Sequence, residues 1–190
     1  LVLLRKRFIL VLIFLTGSAA VAQKVTYERP PENVMNEFRF LGGALACITD
    51  VQADNYLPCL HFGDISIGSS RNEVERLYDN IYKSISKSDS VEIKVYILHS
   101  ELEELPYLVI TYENEKVKSI QMTGLETSDD LNFSSIELGV PSDSVVKILG
   151  NPSSRQEVEE IQGTQWSYDP FPISIEFVKN KVYSIKIWRP

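Results

Sequence analysis

Few side chains in this chain have the type and spacing to do covalent chemistry. His61 and His99 are its two histidines, and Cys47 and Cys59 its two cysteines. Neither histidine stands in an H-E-x-x-H setting, and no G-x-S-x-G, P-loop or G-x-G-x-x-G is spelled in the sequence. Glu101, Glu103 and Glu104 could be imagined as the acid pair of a glycosidase, but packed into one acidic loop they read as a solvated face. Asp50, Asp54 and Asn55 lack the glycine and closing glutamate of a calcium loop. Zinc would need more ligands than Cys47, Cys59 and His61 supply. The sequence therefore offers no catalytic residue, no metal site and no cofactor. An even cysteine count in an exported chain favours a Cys47–Cys59 disulfide. Closing a loop of that size contributes about 3 kcal/mol in the chain-entropy picture.

Recognition has more to work with. Along the last apolar stretch, Tyr183, Ile185 and Ile187 alternate with Ser184, Lys186 and Trp188. A strand places these two sets on opposite faces. An aromatic beside a lysine, turned away from the core, is the composition of a binding hot spot. The competing reading packs Trp188 under a neighbouring segment. Ile173, Ile175 and Phe177 point inward by the same rule, with Ser174 and Glu176 outward. Tyr96 and Thr111 take comparable outward positions earlier in the chain. The candidate binding residues are thus Trp188, Lys186, Tyr96 and Thr111. Trp166 and Tyr168, two apart, read as core.

The elements that must position them are organised around residues 136–152. Val145, Ile148 and Leu149 share one face of a short helix, which Gly150 and Pro152 end. Residues 65–78 repeat this text, with Ile65, Gly68, Val74 and Leu77 matching Ile136, Gly139, Val145 and Ile148. Ser70 and Glu73 spell a capping box, followed by an apolar stripe of Val74, Leu77, Tyr78 and Ile81. Strands are expected at 91–98, 108–113, 117–122, 164–168, 173–178 and 182–188, with two-residue turns at Asn114-Glu115 and Lys179-Asn180. In the first of these, Ile93, Val95 and Ile97 should share one face, and Lys94, Tyr96 and Leu98 the other. Residues 83–90 and 153–163 read as polar connectors. Val34, Phe38 and Leu41 suggest a short helix failing at Gly42-Gly43. Tyr112, Val117 and Ile120 match Phe177, Val182 and Ile185, so two blocks recur in the same order. The predicted fold class is α+β: two tandem helix-plus-three-strand antiparallel repeats packed side by side, with a disulfide-stapled N-terminal segment.

The chain opens with Arg5, Lys6 and Arg7, an apolar run from Phe8 to Leu15, and small residues at Ala20 and Ala22. That is the pattern of a secretory signal cut before Gln23, and too short a run for a spanning helix. The divisions expected are 1–22 as signal peptide, 23–60 as the N-terminal segment, 61–124 as repeat 1, and 125–190 as linker and repeat 2. Over the whole chain, 26 acidic residues face 19 basic ones, a net charge of −7. This argues against nucleic acid and anionic membrane surfaces as partners.

The run Ile136, Leu138, Gly139, Leu149, Gly150 and Pro152, then Trp166 and Tyr168, then Phe177, Lys181, Val182 and Ile185, resembles the β-lactamase-inhibitor-protein-like fold. It also resembles the one-repeat relatives of that fold, the small outer-membrane assembly lipoproteins. The latter carry a lipidated cysteine after the signal, which has no counterpart here. The tandem layout is closer to the inhibitor protein, whose fused sheets make a concave protein-binding surface. The motif positions are structural, so the resemblance implies no site residue. The expected function is an exported, non-enzymatic protein-binding or scaffold module of the bacterial cell envelope, periplasmic or secreted, docking a protein partner on its sheet face. An enzyme inhibitor is the alternative, and a hydrolase of envelope polymers the outsider.

Overall fold

A computed structural model describes residues 36–49, 55–78, 81–98, 106–126 and 131–190, with Ile81 and Tyr82 described by backbone alone. The expected signal peptide, the acidic loop of Glu101, Glu103 and Glu104, and His99, Asp50 and Asp54 lie outside the described residues. Among the described residues, no helix is long and apolar enough to cross a membrane.

The chain begins with β1 (Glu37–Leu41) and β2 (Ala44–Ile48), paired antiparallel. A helix was expected from Val34, Phe38 and Leu41, and the hairpin overturns it. Gly42 and Gly43 both take positive φ, 60° and 92°, which is the two-residue turn a hairpin needs. A short 3-10 turn, Leu57–Cys59, follows, then the paired β3 (His61–Phe62) and β4 (Ile65–Ser66). Helix α1 is Arg71–Leu77, and β5 (Ile81–Ser88), β6 (Val91–Ile97), β7 (Tyr107–Glu113) and β8 (Lys116–Thr123) complete the first half. The second half holds α2 (Ser142–Leu149), β9 (Ser154–Val158), β10 (Gly163–Ser167), β11 (Ile173–Val178) and β12 (Lys181–Trp188).

The fold differs from the expected α+β pair of repeats. The molecule is mostly β, and its centre is one eight-stranded antiparallel sheet in the order β5-β6-β7-β8-β12-β11-β10-β9. It is not built from two helix-plus-three-strand units lying side by side. Each half supplies four strands, and β8 pairs with β12 to make the sheet continuous. The two unexpected strands, β5 and β9, are its edges. The described side chains of β5 are exposed, as are all those of β9 except Val158. An edge strand in water carries the serines and charges that read as a connector.

Local chemistry in the two halves runs in parallel. Gly68 N–H donates to Val117 O (2.9 Å), Val117 N–H to Ser69 O (2.9 Å), and Arg71 N–H to Glu115 O (2.9 Å). Gly139 N–H donates to Val182 O (2.7 Å), Val182 N–H to Val140 O (2.9 Å), and Ser142 N–H to Asn180 O (3.1 Å). Each helix start is thereby tied to the turn of its own hairpin. Asn114-Glu115 and Lys179-Asn180 both have positive φ, as a tight primed turn requires. A register shift falls between Thr111 and Tyr112 in one hairpin and between Glu176 and Phe177 in the other. Such bulges re-aim side chains and add twist.

The core lies between the sheet and the elements on one of its faces. The row Tyr96–Leu108–Met122–Ile185–Ile175–Trp166 runs across six strands, and every member is buried. Val74 of α1 and Val145 and Leu149 of α2 close over this face. Ile148 of α2 is half-buried; of the stripe expected on α1, Val74 is buried and Tyr78 packs on Tyr96 with ring centroids 6.0 Å apart, while Leu77 is 50% exposed. The N-terminal hairpin covers α2: Phe40 lies against Gly150, where φ is 78° and any side chain would run into its ring. Phe38 stacks on Phe133 and Phe171, with centroids 5.8 and 5.2 Å away. Cys47 and Cys59 are bonded, with Cα atoms 5.8 Å apart, and staple the hairpin to the turn below it.

Candidate binding face

The face of the sheet opposite the core is read directly from the strand register. Side chains directly opposite in antiparallel pairs stand on the same face. One row crosses all eight strands: Lys83, Val95, Val109, Gln121, Lys186, Ser174, Ser167 and Ser154. A second runs Ile85, Ile93, Thr111, Ser119 and Trp188. A third runs Ile97, Tyr107, Thr123, Ser184, Glu176, Gln165 and Gln156. Both helices and the N-terminal hairpin contribute to the core on the other face.

Three of the four predicted binding residues stand on this open face. Trp188 and Thr111 are half-buried there, and Lys186 is exposed. Tyr96 does not, which corrects the expected phase of β6. It is fully buried, its hydroxyl 3.1 Å from that of Tyr112. The phase inverts because Lys94, which reads as solvent-facing, turns inward to pair with Glu75 of α1 and is 8% exposed. Once Lys94 goes in, Ile93, Val95 and Ile97 must go out. Burial pushes the acidity of both tyrosine hydroxyls down, raising their pKa above the ordinary phenol value. Trp166 and Tyr168 are buried core, as their spacing suggested.

The open face is uneven. In the first half it presents Ile85, Ile93, Val95 and Val109, all at least partly in water, with Ile85 40% exposed. In the second half the rows carry Gln165, Ser167, Ser174 and Glu176. At the seam between β8 and β12, Gln121 and Thr123 both donate to Ser184 Oγ, at 3.0 and 3.1 Å. These hydroxyls and amides satisfy one another and hold the seam in a defined geometry. The apolar half-face was missed by the sequence reading. β6 gave no warning, because Val91, Ile93, Val95 and Ile97 alternate with Glu92, Lys94 and Tyr96 and so read as an inward aliphatic set.

A second concavity, of about 480 Å³, lies between the hairpin, the end of α2 and the turn after β10. Phe40, Leu45, Leu149, Pro170 and Phe171 line it with Tyr168. The Tyr168 hydroxyl is buried without a hydrogen-bond partner, and burial raises its pKa. His61 has no comparable setting: Nε2 meets Asn36 O at 2.8 Å and Nδ1 meets Gly63 O at 3.0 Å, so the ring clamps two loop carbonyls. Among the described residues no group of three or more His, Cys, Asp or Glu side chains could hold a metal.

No protein-family model and no curated protein matches the chain. Similar solved structures include a cysteine-rich secretory protein from Staphylococcus aureus and a DUF4309 family protein from Bacillus subtilis. The first is 14% identical with a TM-score of 0.42, the match covering 64% of this chain and 44% of that one. The second is 14% identical with a TM-score of 0.45, covering 67% of this chain and 83% of that one. The chain thus spans less than half the length of the staphylococcal protein.

Proposed function

We propose that this protein is an exported, non-enzymatic module that binds another protein on the open face of its eight-stranded sheet. The observation that carries the reading is the apolar half-face of Ile93, Val95 and Val109, on the same sheet face as Trp188, with the core of the described residues on the other side. Partly exposed aliphatic side chains in contiguous rows mark an interaction surface more often than a solvated one. The disulfide supports export, since such bonds persist in oxidising compartments. The matched hydrogen bonds and bulges of the two halves support an internal duplication. With the sheet continuous across β8 and β12, they also support the resemblance to the inhibitor-protein-like fold and its fused binding surface.

Site-specific photo-crosslinking in the producing cells tests the reading. A photoreactive residue at Thr111, on the open face, should give discrete adducts with a partner protein. The same residue at Asp143, exposed on α2, should not. Trp188→Ala should lower the Thr111 adduct yield while leaving the unfolding midpoint in place. Adducts from Asp143 alone would move the partner to the helix side and end the proposal.

A further inference from the structure

We propose that the partner places an acidic side chain into the groove beside Trp188, with flanking apolar residues lying on the rows of Val95 and Ile93; the proposal rests on the open-face reading above. The groove has a volume of about 440 Å³ and is lined by Lys118, Lys186 and Arg189 with Trp188, Gln165 and Ser174. Among the described residues no carboxylate lines it. Arg189 N–H donates to Lys118 O at 2.9 Å, which fixes Arg189 beside Lys118. Lys118 reaches Glu113 at 3.4 Å, both side chains well exposed. Among the described residues Lys186 and Arg189 have no ion-pair partner.

Charge decides what fits. The chain carries 26 acidic residues against 19 basic ones, so three cations around one groove, of which only Lys118 has an acid in reach among the described residues, run against its overall balance. The net charge of −7 repels an extended polyanion, while the local cluster attracts a single carboxylate. Trp188 offers a ring at the same spot, the Gln165 amide already donating to Glu176 Oε1 at 3.4 Å, and charge-assisted hydrogen bonds to a carboxylate are among the stronger polar contacts. The apolar rows decide the source. Val95 and Val109 lead through Gln121 to Lys186, and Ile85 and Ile93 lead through Thr111 and Ser119 to Trp188. A glycan or a lipid headgroup would leave those aliphatic side chains uncovered. A protein segment with an Asp or Glu next to aliphatic residues covers both.

Selection of phage-displayed random dodecapeptides on the immobilised full chain, at about 0.15 M salt, provides the probe. Enriched peptides should join an acidic residue to aliphatic ones. Replacing that residue by its amide should weaken binding about tenfold. The double variant Lys186→Gln, Arg189→Gln should abolish the difference between the acidic and amide peptides. Peptides that ignore the acid-to-amide change but are lost on Val95→Ser or Thr111→Arg would overturn the acidic contact and leave the open face standing. Peptides indifferent to all these variants would overturn both readings. Failure to enrich any peptide, or displacement by phosphatidylglycerol vesicles or polygalacturonate as effective as by acidic peptide, would also overturn the proposal. Val95, Thr111 and Lys186 lie on the open face and Arg189 lines the groove, so an unchanged unfolding midpoint confirms that each variant is folded.

Discussion

The two halves of the sheet agree on their core side and part company on their open side. Register aligns Leu108 with Ile173, Ile110 with Ile175, Tyr112 with Phe177, and Tyr96 with Tyr168, all buried. On the open face the same register sets Ile93 against Gln165, Val95 against Ser167, and Val109 against Ser174. Packing constrains the inner face of each half to the same chemistry, because a helix must close over it. Among the described residues no helix closes over the outer face. On the difference between Val95 and Ser167 rests the proposed placement of a partner's apolar residues on the first half.

One inner position breaks the match, and it gives the largest expected effect. Trp166 lies opposite Ile175, and Lys94 takes the equivalent place opposite Ile110. Trp166 stacks on Phe177 with centroids 4.3 Å apart and under the Arg155 guanidinium at 4.2 Å. Trp166→Ala should cost about 3–5 kcal/mol, read from denaturant unfolding. Lys94 instead pairs with Glu75 under α1. Lys94→Met keeps the length, removes the desolvation cost of the ammonium and leaves a partly exposed Glu75 to water. It should stay within about 1 kcal/mol of wild type. Equal losses at the two sites would mean that the ion pair packs as firmly as the indole.

Cover by the hairpin is the second contrast. Contacts between β1 and α2 tie the stapled segment to the second half, through Phe40 on Gly150 and Phe38 among Phe133 and Phe171. Replacing Cys47 and Cys59 by alanine should cost about 3 kcal/mol, given a sequence separation of 12. Hydrogen exchange should then rise first in β1, β2 and α2, with β6 and β7 holding their protection. A uniform rise across the sheet would show that the staple acts on the whole fold.

How much of this was legible beforehand depends on where each residue's partner lies. The turns at Asn114-Glu115 and Lys179-Asn180, the capping box at Ser70, the disulfide and the inward set Ile173, Ile175 and Phe177 all depend on local spelling or strict alternation. They read correctly. The fourth strand of each half did not, because β5 and β9 are edges whose side chains are polar for the same reason a loop's are. The β1–β2 hairpin was hidden because Phe38 and Leu41 happen to fit a helical spacing as well as a strand. Tyr96 was placed outward because the charge on Lys94 is cancelled by Glu75, a residue on another element. On the open face, Trp188, Lys186 and Thr111 followed from alternation alone. Lys118 and Arg189 join them only through the register of β8 against β12, which no single strand reveals.

Matched tyrosines sharpen the comparison at smaller cost. The hydroxyls of Tyr96 and Tyr112 bond to each other, whereas that of Tyr168 is buried without a partner. Tyr96→Phe strands the Tyr112 hydroxyl and should destabilise by about 1–2 kcal/mol. Tyr168→Phe removes an unpaired group and should be neutral or stabilising by up to about 1 kcal/mol. All three phenols have folded pKa values raised above 10.0. Their contribution is therefore full below the unfolded value near 10 and is lost as pH rises through it toward the folded ones. Loss of stability on Tyr168→Phe would reveal a bond to the hydroxyl in solution.

The smallest effect concerns how each helix starts. Ser70 Oγ accepts from Glu73 N–H at 3.3 Å, and Glu73 Oε2 accepts from Ser70 N–H at 2.6 Å, a complete capping box. α2 begins at Pro141 with no side-chain cap; the Ser142 hydroxyl donates to Asn180 Oδ1 at 2.7 Å instead. The first helix is thus started locally, and the second by its contact with the hairpin turn. Ser70→Ala should cost about 1 kcal/mol in thermal unfolding. The Glu73 carboxyl is held below its ordinary pKa, first by the Ser70 backbone N–H and then by its hydroxyl. A lowered folded pKa means that the carboxylate contributes above its unfolded value, and that the contribution fades as pH falls through the folded one. In Ser70→Ala the backbone donor remains, so NMR titration should find the Glu73 midpoint raised toward, yet still below, the ordinary carboxylate value. A midpoint that returns fully would show that the hydroxyl alone organised the cap, and that α1 leans on its surroundings as much as α2 does.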